Sequence, residues 1–561
     1  MRQGVFRMAQ VHTAFAVRLT ADDKKIHARC SYDPHVKEVL KAVPGARWNT
    51  ATRTWIYPAS PAVADHLVRD LKGASCQVHT DDKVRFLLES AEVIKGASYT
   101  KEAQIEDLPQ PEIRKTDAWL HQLRGFHFAR SIPACMLAMD MGTGKSKVAI
   151  DLIQQSKGNN RYRALIICPK SVLSVWPHEF QKHGAWDALR IKILDKGTTE
   201  KKAKELKRDL DAPAPLVVVL NYESAWRGDL AVKLLDVEWD MVILDESHRI
   251  KSPGGKASRF CGLLSKMAQK RVCLTGTPLP HSPLDAYGQY RFLDPGIFGT
   301  SFTRFRARYA VMGGFQNRQV TGYQREAEFN RRFYSIAYRV GKEILDLPPV
   351  MEIERRVELE PKTARTYREL ESHFVASIDA GLVTVSNALT KLLRLQQVTS
   401  GYVKTDEGEL IQVGTEKQDL LADVLEDIPE PVVVFCRFQT DLDSVHAVAE
   451  KLGRPSFELS GRKNELHEWK KSGDLAPMIA VQIQAGGVGV DLTKAQYCVY
   501  YSLGFSLGDY EQSRARVHRP GQERTTFYIH LLADNTVDEK VYKALADRKD
   551  VVENILGGTW K

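Results

Sequence analysis

The sequence predicts an α/β fold with two parallel-sheet lobes, a helical segment between them and a small α+β unit in front. Three observations carry this expectation. Short runs of Val, Ile and Leu recur without polar alternation, helix-like segments separate most of them, and the runs gather into two clusters, about 130–290 and 430–535. Unbroken apolar runs of this length suit strands covered on both faces, as the strands of parallel sheets are. Strand, helix, strand repetition implies right-handed crossovers. The 561-residue chain has room for about three to five domains.

In chain order, residues 1–80 read as a small α+β domain. A strand at Phe15–Leu19 precedes a helix over Pro34–Val43, with Asp33 as its cap and Pro34 at its first position. Trp48, Trp55 and Tyr57 are expected in its core, and Lys37, Lys41, Arg47 and Arg53 on a basic outer face. Residues 81–115 read as a charged linker with helical character. The first lobe, 116–295, holds the runs Ala164–Cys168, Leu216–Leu220 and Met241–Leu244 and a helix near Val148–Gln155. Residues 296–400 read as a helical, basic insertion and connection, punctuated by Leu347-Pro348-Pro349. The second lobe, 401–561, holds Val432–Phe435, Ile479–Ile483 and Tyr497–Tyr501, a helix at Leu442–Leu452 and a C-terminal helix.

Hydrophobic residues at 43% and charged residues at 27% give a globular balance, which excludes collagen-like, disordered and coiled-coil classes for the whole chain. Lys plus Arg number 80 against 70 Asp plus Glu, a formal charge of +10. The excess is local: residues 1–80 carry 12 Lys/Arg against 6 Asp/Glu, and 301–340 carry 8 Arg against 2 Glu. Such patches suit a polyanionic partner. In 301–340, SFTRFRARY and NRRFYSIAYR interleave Arg with Phe and Tyr. Two readings stand there: a face that holds phosphates and stacks on bases, or aromatics packing a subdomain beneath solvated arginines. The eight cysteines form no CxxC pair, which argues against a zinc ribbon or dithiol site, and several sit inside apolar strand-like runs as reduced thiols would, which favours a reducing cytoplasm. No apolar stretch approaches the roughly 20 residues that span a bilayer, so no membrane partner is expected.

Leu137–Ser146 reads LAMDMGTGKS, an apolar run leading through a glycine turn into a helix. Such a turn lets the backbone N–H groups of Met141, Gly142, Thr143 and Gly144 close around phosphate oxygens. Lys145 would reach the β- and γ-phosphates of ATP, and Ser146 would ligate Mg²⁺. Met139 stands where the full phosphate-loop pattern has glycine. About 100 residues on, MVILDESH places two carboxylates at the end of a strand. Asp245 would hold Mg²⁺ and Glu246 would orient and deprotonate the attacking water. Near the C-terminus, QSRARVHRPGQ spaces Gln512, Arg516 and Arg519 at i, i+4, i+7, one face of a helix that Pro520-Gly521 stops. Guanidinium groups reaching from one lobe toward nucleotide on the other can stabilise charge on a transferring phosphoryl group.

LAMDMGTGKS, CPKSVLSVW (168–176), DESH (245–248), LTGTP (274–278), QAGGVGVDLT (484–493) and QSRARVHRPGQ, in that order, resemble the motifs of superfamily 2 helicase-like ATPases. LTGTPLPHSPLDAYGQYRFLDP (274–295), LRLQQVTSG (393–401) and VVVFCRF (432–438) are similar to the Swi/Snf-type branch. The resemblance covers about 116–548. It implies two RecA-like lobes, ATP and Mg²⁺ as cofactors, and DNA as partner. It further implies that Gln122 reads adenine, that His248 and Thr275-Gly276-Thr277 couple nucleotide state to closure, and that Gly487, Gly489 and Asp491 line both the nucleotide cleft and the nucleic-acid track. By the same resemblance Lys170, Ser171, Thr275, Arg437, Gly461 and Gln484 face nucleic acid, and Arg516 and Arg519 are the arginine-finger motif. The sequence departs from the pattern at Met139, at Asp491 where Asn is common, and after Leu459-Ser460-Gly461, where RKNELHEWK lacks the usual arginine a few residues on.

Residues 13–58 resemble the HARP domain of annealing helicases, which implies recognition of forked or branched DNA through phosphate contacts by groups such as Lys37, Arg47 and Arg53. The expectation is an ATP-driven DNA translocase acting in fork remodelling, strand annealing or branch migration. Its setting would be the cytoplasm of a bacterium or phage-infected host, with protein partners in replication, repair or defence. The alternatives are an RNA-dependent ATPase or the motor subunit of a multiprotein defence or restriction assembly.

Overall fold

The computed structural model describes residues 15–22, 24–102, 108–314, 319–379, 385–404, 409–473, 476–484 and 490–557. The N-terminal unit is built from β1 (Ala16–Ala21), β2 (Lys25–Cys30), α1 (Pro34–Ala42), β3 (Arg47–Asn49), β4 (Thr54–Pro58), α2 (Pro61–Gly73) and β5 (Gln77–Thr80). Its sheet runs β3-β4-β2-β1-β5. Both helices start as their sequences dictate. Asp33 accepts from the Val36 N–H at 2.9 Å and Ser60 from the Val63 N–H at 3.3 Å, each followed by proline in the first turn. Val17, Leu19 and Ile26 on the sheet meet Leu40, Leu67 and Leu71 on the helices in a separate core. Tyr57 is buried there as expected, but Trp48 is 50% exposed. It sits on edge strand β3, where only one neighbour covers it, in edge-on contact with Trp55.

The segment expected as a linker is largely one long helix, α3 (Asp82–Glu102), packed on α2 and on α4 (Leu120–Ser131). The unit is therefore docked on the first lobe. At that seam a methyl group on Gly296 would collide with the Ser60 hydroxyl.

The first lobe holds β6 (Ala134–Met139), α5 (Lys145–Gln154), β7 (Arg163–Cys168), α6 (Val175–His183), β8 (Arg190–Ile193), β9 (Leu216–Asn221), β10 (Trp239–Asp245) and β11 (Ala268–Thr275). After a hairpin of β12 (Ala310–Gly313) and β13 (Gln319–Tyr323), β14 (Ala337–Val340) joins the same sheet, in the order β14-β6-β11-β10-β7-β9-β8. Every pairing in it is parallel. The second lobe opens with β15 (Val350–Val357). The hairpin β16 (Tyr402–Lys404) and β17 (Leu410–Gln412) follows, then β18 (Val432–Cys436), β19 (Ser456–Leu459), β20 (Met478–Gln482), β21 (Tyr497–Tyr500) and β22 (Thr526–Ala533). Its sheet, β15-β22-β21-β18-β20-β19, is also parallel throughout.

Sheet membership corrects the expected boundaries. The span 296–400 is not one insertion between lobes: β14 completes the first sheet and β15 begins the second, so the chain crosses between them near Gly341–Pro349. The aromatics of 301–340 pack inward. Phe298 stacks on Phe329 at 5.2 Å and meets Phe305 edge-on at 5.1 Å, while Arg308 and Arg332 both bind the Glu328 carboxylate, at 2.7 and 2.9 Å. Of the two readings open for this stretch, the packed subdomain is the observed one. No helix among the described residues is long and apolar enough to cross a membrane, and all eight cysteines are free thiols.

Candidate nucleotide site between the lobes

The carboxyl end of β6 passes through Asp140–Gly144 into α5, with Gly142 and Gly144 at φ +85 and +88°. Only glycine holds that conformation without strain. The turn is fixed from several sides. Thr143 Oγ1 donates to the Asp140 carbonyl at 2.7 Å, and the Lys342 N–H donates to Asp140 Oδ2 at 3.1 Å. His121 and Gln122 both reach the Thr143 carbonyl, at 2.8 and 3.1 Å, and Gln122 Oε1 accepts from the Trp119 N–H. Gln122, expected to read adenine, lies beside the loop with both ends of its amide engaged by backbone. Lys145 Nζ lies over the turn and donates to the carbonyls of Met139 and Asp140 at 2.8 and 3.2 Å. Ser146 is half-buried at the start of α5.

The acidic pair stands at the end of β10, two strands away. Asp245 is buried; its Oδ2 accepts from Trp176 Nε1 at 3.2 Å and its Oδ1 from the Glu246 N–H at 3.0 Å. Burial, and then the Glu246 charge beside it, push its carboxyl up to about 7. Glu246 is only 2% exposed and holds φ +51°, a left-handed conformation unusual outside glycine. Burial works to raise Glu246 as well. The imidazole of His248 and the charges of Lys145 and Arg516 outweigh it and keep the carboxyl below its ordinary range. His248 Nδ1 is 3.4 Å from Glu246 Oε2, an ion-pair distance without an aligned hydrogen bond, so that oxygen has no hydrogen-bond partner.

The second lobe brings its arginines to this place. Arg516 is 4% exposed, its Nε and Nη2 have no hydrogen-bond partner among the described residues, and its charge acts on Glu246 across the cleft. Burial lowers its guanidinium to about 10, against the pull of Glu246. A methyl on Gly142 would come within 3.0 Å of Pro520 Cδ, so the arginine segment lies directly against the phosphate turn. The arginines do not share a helix face as expected. The helix ends at Arg514, and tight turns, with the Arg516 N–H on the Ser513 carbonyl and the Val517 N–H on the Arg514 carbonyl, carry the chain onward. That turn lets Arg516 face the cleft while Arg519 Nη1 donates to the Val490 carbonyl at 3.4 Å.

The remaining expected residues divide. Gly487 and Gly489 lie outside the described residues, as does the side chain of Ser171. Asp491 is held by its neighbours: one oxygen pairs with Lys470 at 2.9 Å and the other accepts from the Thr493 N–H and hydroxyl. Thr275 is fully buried, with its hydroxyl spent on the Thr277 N–H and His248, so it is a link within the first lobe and not a nucleic-acid contact. Arg437 and Gln484 line a cavity of about 350 Å³ together with His281 of the first lobe and Asp509. Arg437 is held there by Gln396. Lys170 and Gly461 are exposed. Lys37, Arg47 and Arg53 are exposed on the N-terminal unit, but Arg47 faces a cleft shared with the first lobe. Sequence reasoning gave no role to Trp176, His121 or Lys342. Trp176 closes the CPKSVLSVW motif, which was the available signal. The other two act through backbone bonds that no motif announces.

Residues 45–401, more than half of the chain, match the model of the SNF2-related domain, and 416–521 match the helicase conserved C-terminal domain. The chain belongs to the SNF2-related family. With both domains present it is a helicase-like ATPase, and the two lobes are the two halves of that engine. A Caenorhabditis elegans homolog of SWI/SNF-related matrix-associated actin-dependent regulator of chromatin subfamily A-like protein 1 is 24% identical over 547 residues, 93% of this chain and 73% of that one. Human DNA repair and recombination protein RAD54B is 25% identical across 73% of this chain, and the Bacillus subtilis putative ATP-dependent helicase/translocase YwqA 25% across 78%. The chain spans about half the length of the last two, 50% and 48%. Among solved structures, the Sulfolobus solfataricus SWI2/SNF2 ATPase core in complex with dsDNA matches at 23% identity and TM-score 0.39, over 80% of this chain and 95% of that one.

Proposed function

We propose that this SNF2-related chain is an ATP- and Mg²⁺-dependent DNA translocase whose N-terminal unit directs it to forked or branched duplexes. The observation that carries the reading is the buried Arg516 guanidinium, two of its nitrogens unpartnered, set against Glu246 and beside the phosphate turn. A buried charge with free donors is costly unless an anion completes it. Asp245 and Glu246, packed together out of water, pose the matching demand for a cation. These donor sets fit a magnesium-bound triphosphate, which would supply the phosphoryl group and the metal charge. Lys145 would exchange the carbonyls of Met139 and Asp140 for phosphate oxygens. Glu246, kept ionised at neutral pH, would orient the attacking water and take its proton. Arg516 would stabilise the charge that develops on the transferred group. Because turnover needs groups from both lobes, each cycle would couple to their closing and opening along DNA, with Arg437, Gln484 and His281 on the DNA-facing side.

The test is an ATPase panel of the full chain over single-stranded, linear duplex, forked and four-way DNA, and RNA, with Lys145→Ala and Glu246→Gln alongside. Stimulation by duplex or branched DNA, lost by about a hundredfold or more in either variant, is expected. Stimulation by RNA alone would move the reading to an RNA-dependent ATPase, and unchanged turnover in the variants would reject the site. Fork targeting is tested by Lys37→Glu with Arg53→Glu in the full chain: the preference for forked over linear DNA should fall.

A further inference from the structure

The N-terminal unit and the first lobe enclose a cleft of about 670 Å³ that belongs to neither the nucleotide site nor the inter-lobe cavity. It opens at the amino-terminal end of the first sheet, where Pro133 and Ala134 lead into β6 and Ala268 begins β11. The phosphate turn leaves β6 at its other end. At about 3.3 Å per residue the six residues of β6 separate the two places by roughly 20 Å.

Six cations line this cleft: Lys24, Lys25 and Arg47 from the N-terminal unit, and Lys266, Arg271 and Arg291 from the first lobe. Among the described residues none of the six lies within 4.0 Å of a carboxylate. Among the described residues the single acid in the lining is Asp294, whose Oδ1 is spent on the Gly296 N–H at 2.7 Å. Arg291 is oriented by the Pro253 carbonyl and the Ser258 hydroxyl, at 3.0 and 2.8 Å. The Nε atoms of both Arg291 and Arg271 are buried without a hydrogen-bond partner among the described residues. Burial alone accounts for the lowering of the Arg271 guanidinium below the ordinary range, with Asp294 acting in the other direction.

A folded seam that gathers six like charges and leaves a guanidinium unsatisfied repels itself until an anion enters. Between the cations the walls are apolar, from Ile56, Pro58, Ile94 and Ile336. Cationic rims over apolar walls suit phosphate groups carried on sugar and base, and the volume exceeds what one inorganic ion fills. We propose that this seam is a second phosphate-binding site, one that takes a short stretch of nucleic-acid backbone and ties it to both the N-terminal unit and the first lobe. Strand held there would be fixed to the first lobe through every cycle, away from the moving cleft. The inference stands apart from the proposed motor activity, because binding at the seam needs no ATP.

The test therefore uses the full chain without nucleotide. Binding of a fluorescein-labelled single-stranded 15-mer is titrated by anisotropy at several salt concentrations. Three proteins are compared: wild type, Lys24→Glu/Lys25→Glu/Lys266→Glu, and a charge-matched control, Lys157→Glu/Lys201→Glu/Lys207→Glu, on exposed sites of the first lobe. Losing about three phosphate contacts should weaken binding at least tenfold and flatten the dependence of log K on log salt by about 2, with the control near wild type. Arg271→Gln should weaken binding in the same direction. A parallel arm measures thermal protection by inorganic tripolyphosphate. If only that protection is lost in the triple variant, the phosphate site stands and its ligand is a free polyphosphate. If the triple variant and the control behave alike toward both probes, the proposal fails. Because neither arm depends on hydrolysis, a chain that shows no DNA-stimulated ATPase would still report on the seam.

Discussion

The two halves of the candidate nucleotide site are built in opposite ways. On the first lobe almost every polar group is bonded within its own lobe: Lys145 to loop carbonyls, Gln122 at both ends, Asp245 to Trp176 and the Glu246 N–H. On the second lobe Arg516 is just as deeply buried, yet two of its nitrogens bond nothing. The first half is a finished cradle. The second is a charge whose burial is offset only by Glu246, a group of the other lobe. The lesson is that the phosphate turn of the first half is held by its own folding, while the buried charges, Arg516 on one lobe and the acidic pair on the other, cost stability and have value only when the lobes meet over a bound ion pair.

The sharpest way to break that contrast is to separate the two properties at Arg516. Arg516→Met keeps the volume and removes the charge. ATP turnover at saturating substrate should fall about a thousandfold, the scale of a lost arginine finger, while the melting temperature changes little, because the desolvation cost of the buried guanidinium goes together with its attraction to Glu246. A variant that lost both activity and stability would show that Arg516 serves the fold. On the first lobe the outcome should differ. Trp176→Phe removes the donor to Asp245 Oδ2 and leaves a buried carboxylate oxygen unpaired. The cost should be about 1–3 kcal/mol, read as a lower melting temperature together with roughly tenfold lower turnover.

The same contrast tells what the sequence could reveal. The cradle was legible because its chemistry lies in contiguous motifs: GTGKS and DESH each put the needed residues on one turn, and the buried parallel strands that present them, β6 and β10, read as apolar runs. The boundary between lobes was not legible. β15 reads VMEIERRV with its side chains largely exposed, as an edge strand of a parallel sheet allows, so it carries no apolar run to mark it. β14 is four residues long and returns to its sheet after about 60 residues of helices and a hairpin. The helical spacing of Arg516 and Arg519 was a real pattern in the sequence, but the helix stops two residues before Arg516, and its direction is set by turns in the backbone. Trp48 was misplaced because an aromatic on an edge strand has the same sequence pattern as one in a core.

Within the first lobe, Asp245 offers a subtler test. Its folded pKa of about 7 lies above its ordinary 3.8. A carboxyl raised on folding contributes stability fully at pH values below its unfolded pKa, and that contribution is lost as pH rises through the folded one. Wild-type protein without nucleotide or metal should therefore lose stability between about pH 4 and 7. Asp245→Asn should melt higher than wild type at pH 8, by at least about 2 °C, with the gap closing toward pH 5. Added Mg²⁺ should narrow the gap at pH 8 by stabilising wild type alone. A gap that is constant across pH would mean that the carboxyl is not held protonated by its surroundings.

The smallest effect is expected where the halves touch without sharing chemistry. Lys342, in the crossing between lobes, pairs with Glu511 of the second lobe at 3.4 Å, and both side chains are partly exposed. Its backbone N–H meanwhile braces Asp140 of the phosphate turn. A pair this exposed is worth no more than about 1 kcal/mol. Lys342→Ala keeps the backbone bond and loses the cross-lobe contact together with a charge that acts on Asp140, so turnover should change less than about fivefold, and Glu511→Ala should change it no more. The informative quantity is their combination. If the pair acts only by holding the lobes together, the double variant should be no worse than either single one, and all three should approach wild type at high salt. Losses that add would mean that each residue works separately in its own lobe, and the division of labour between a finished cradle and an unpaired charge would have to include the crossing itself.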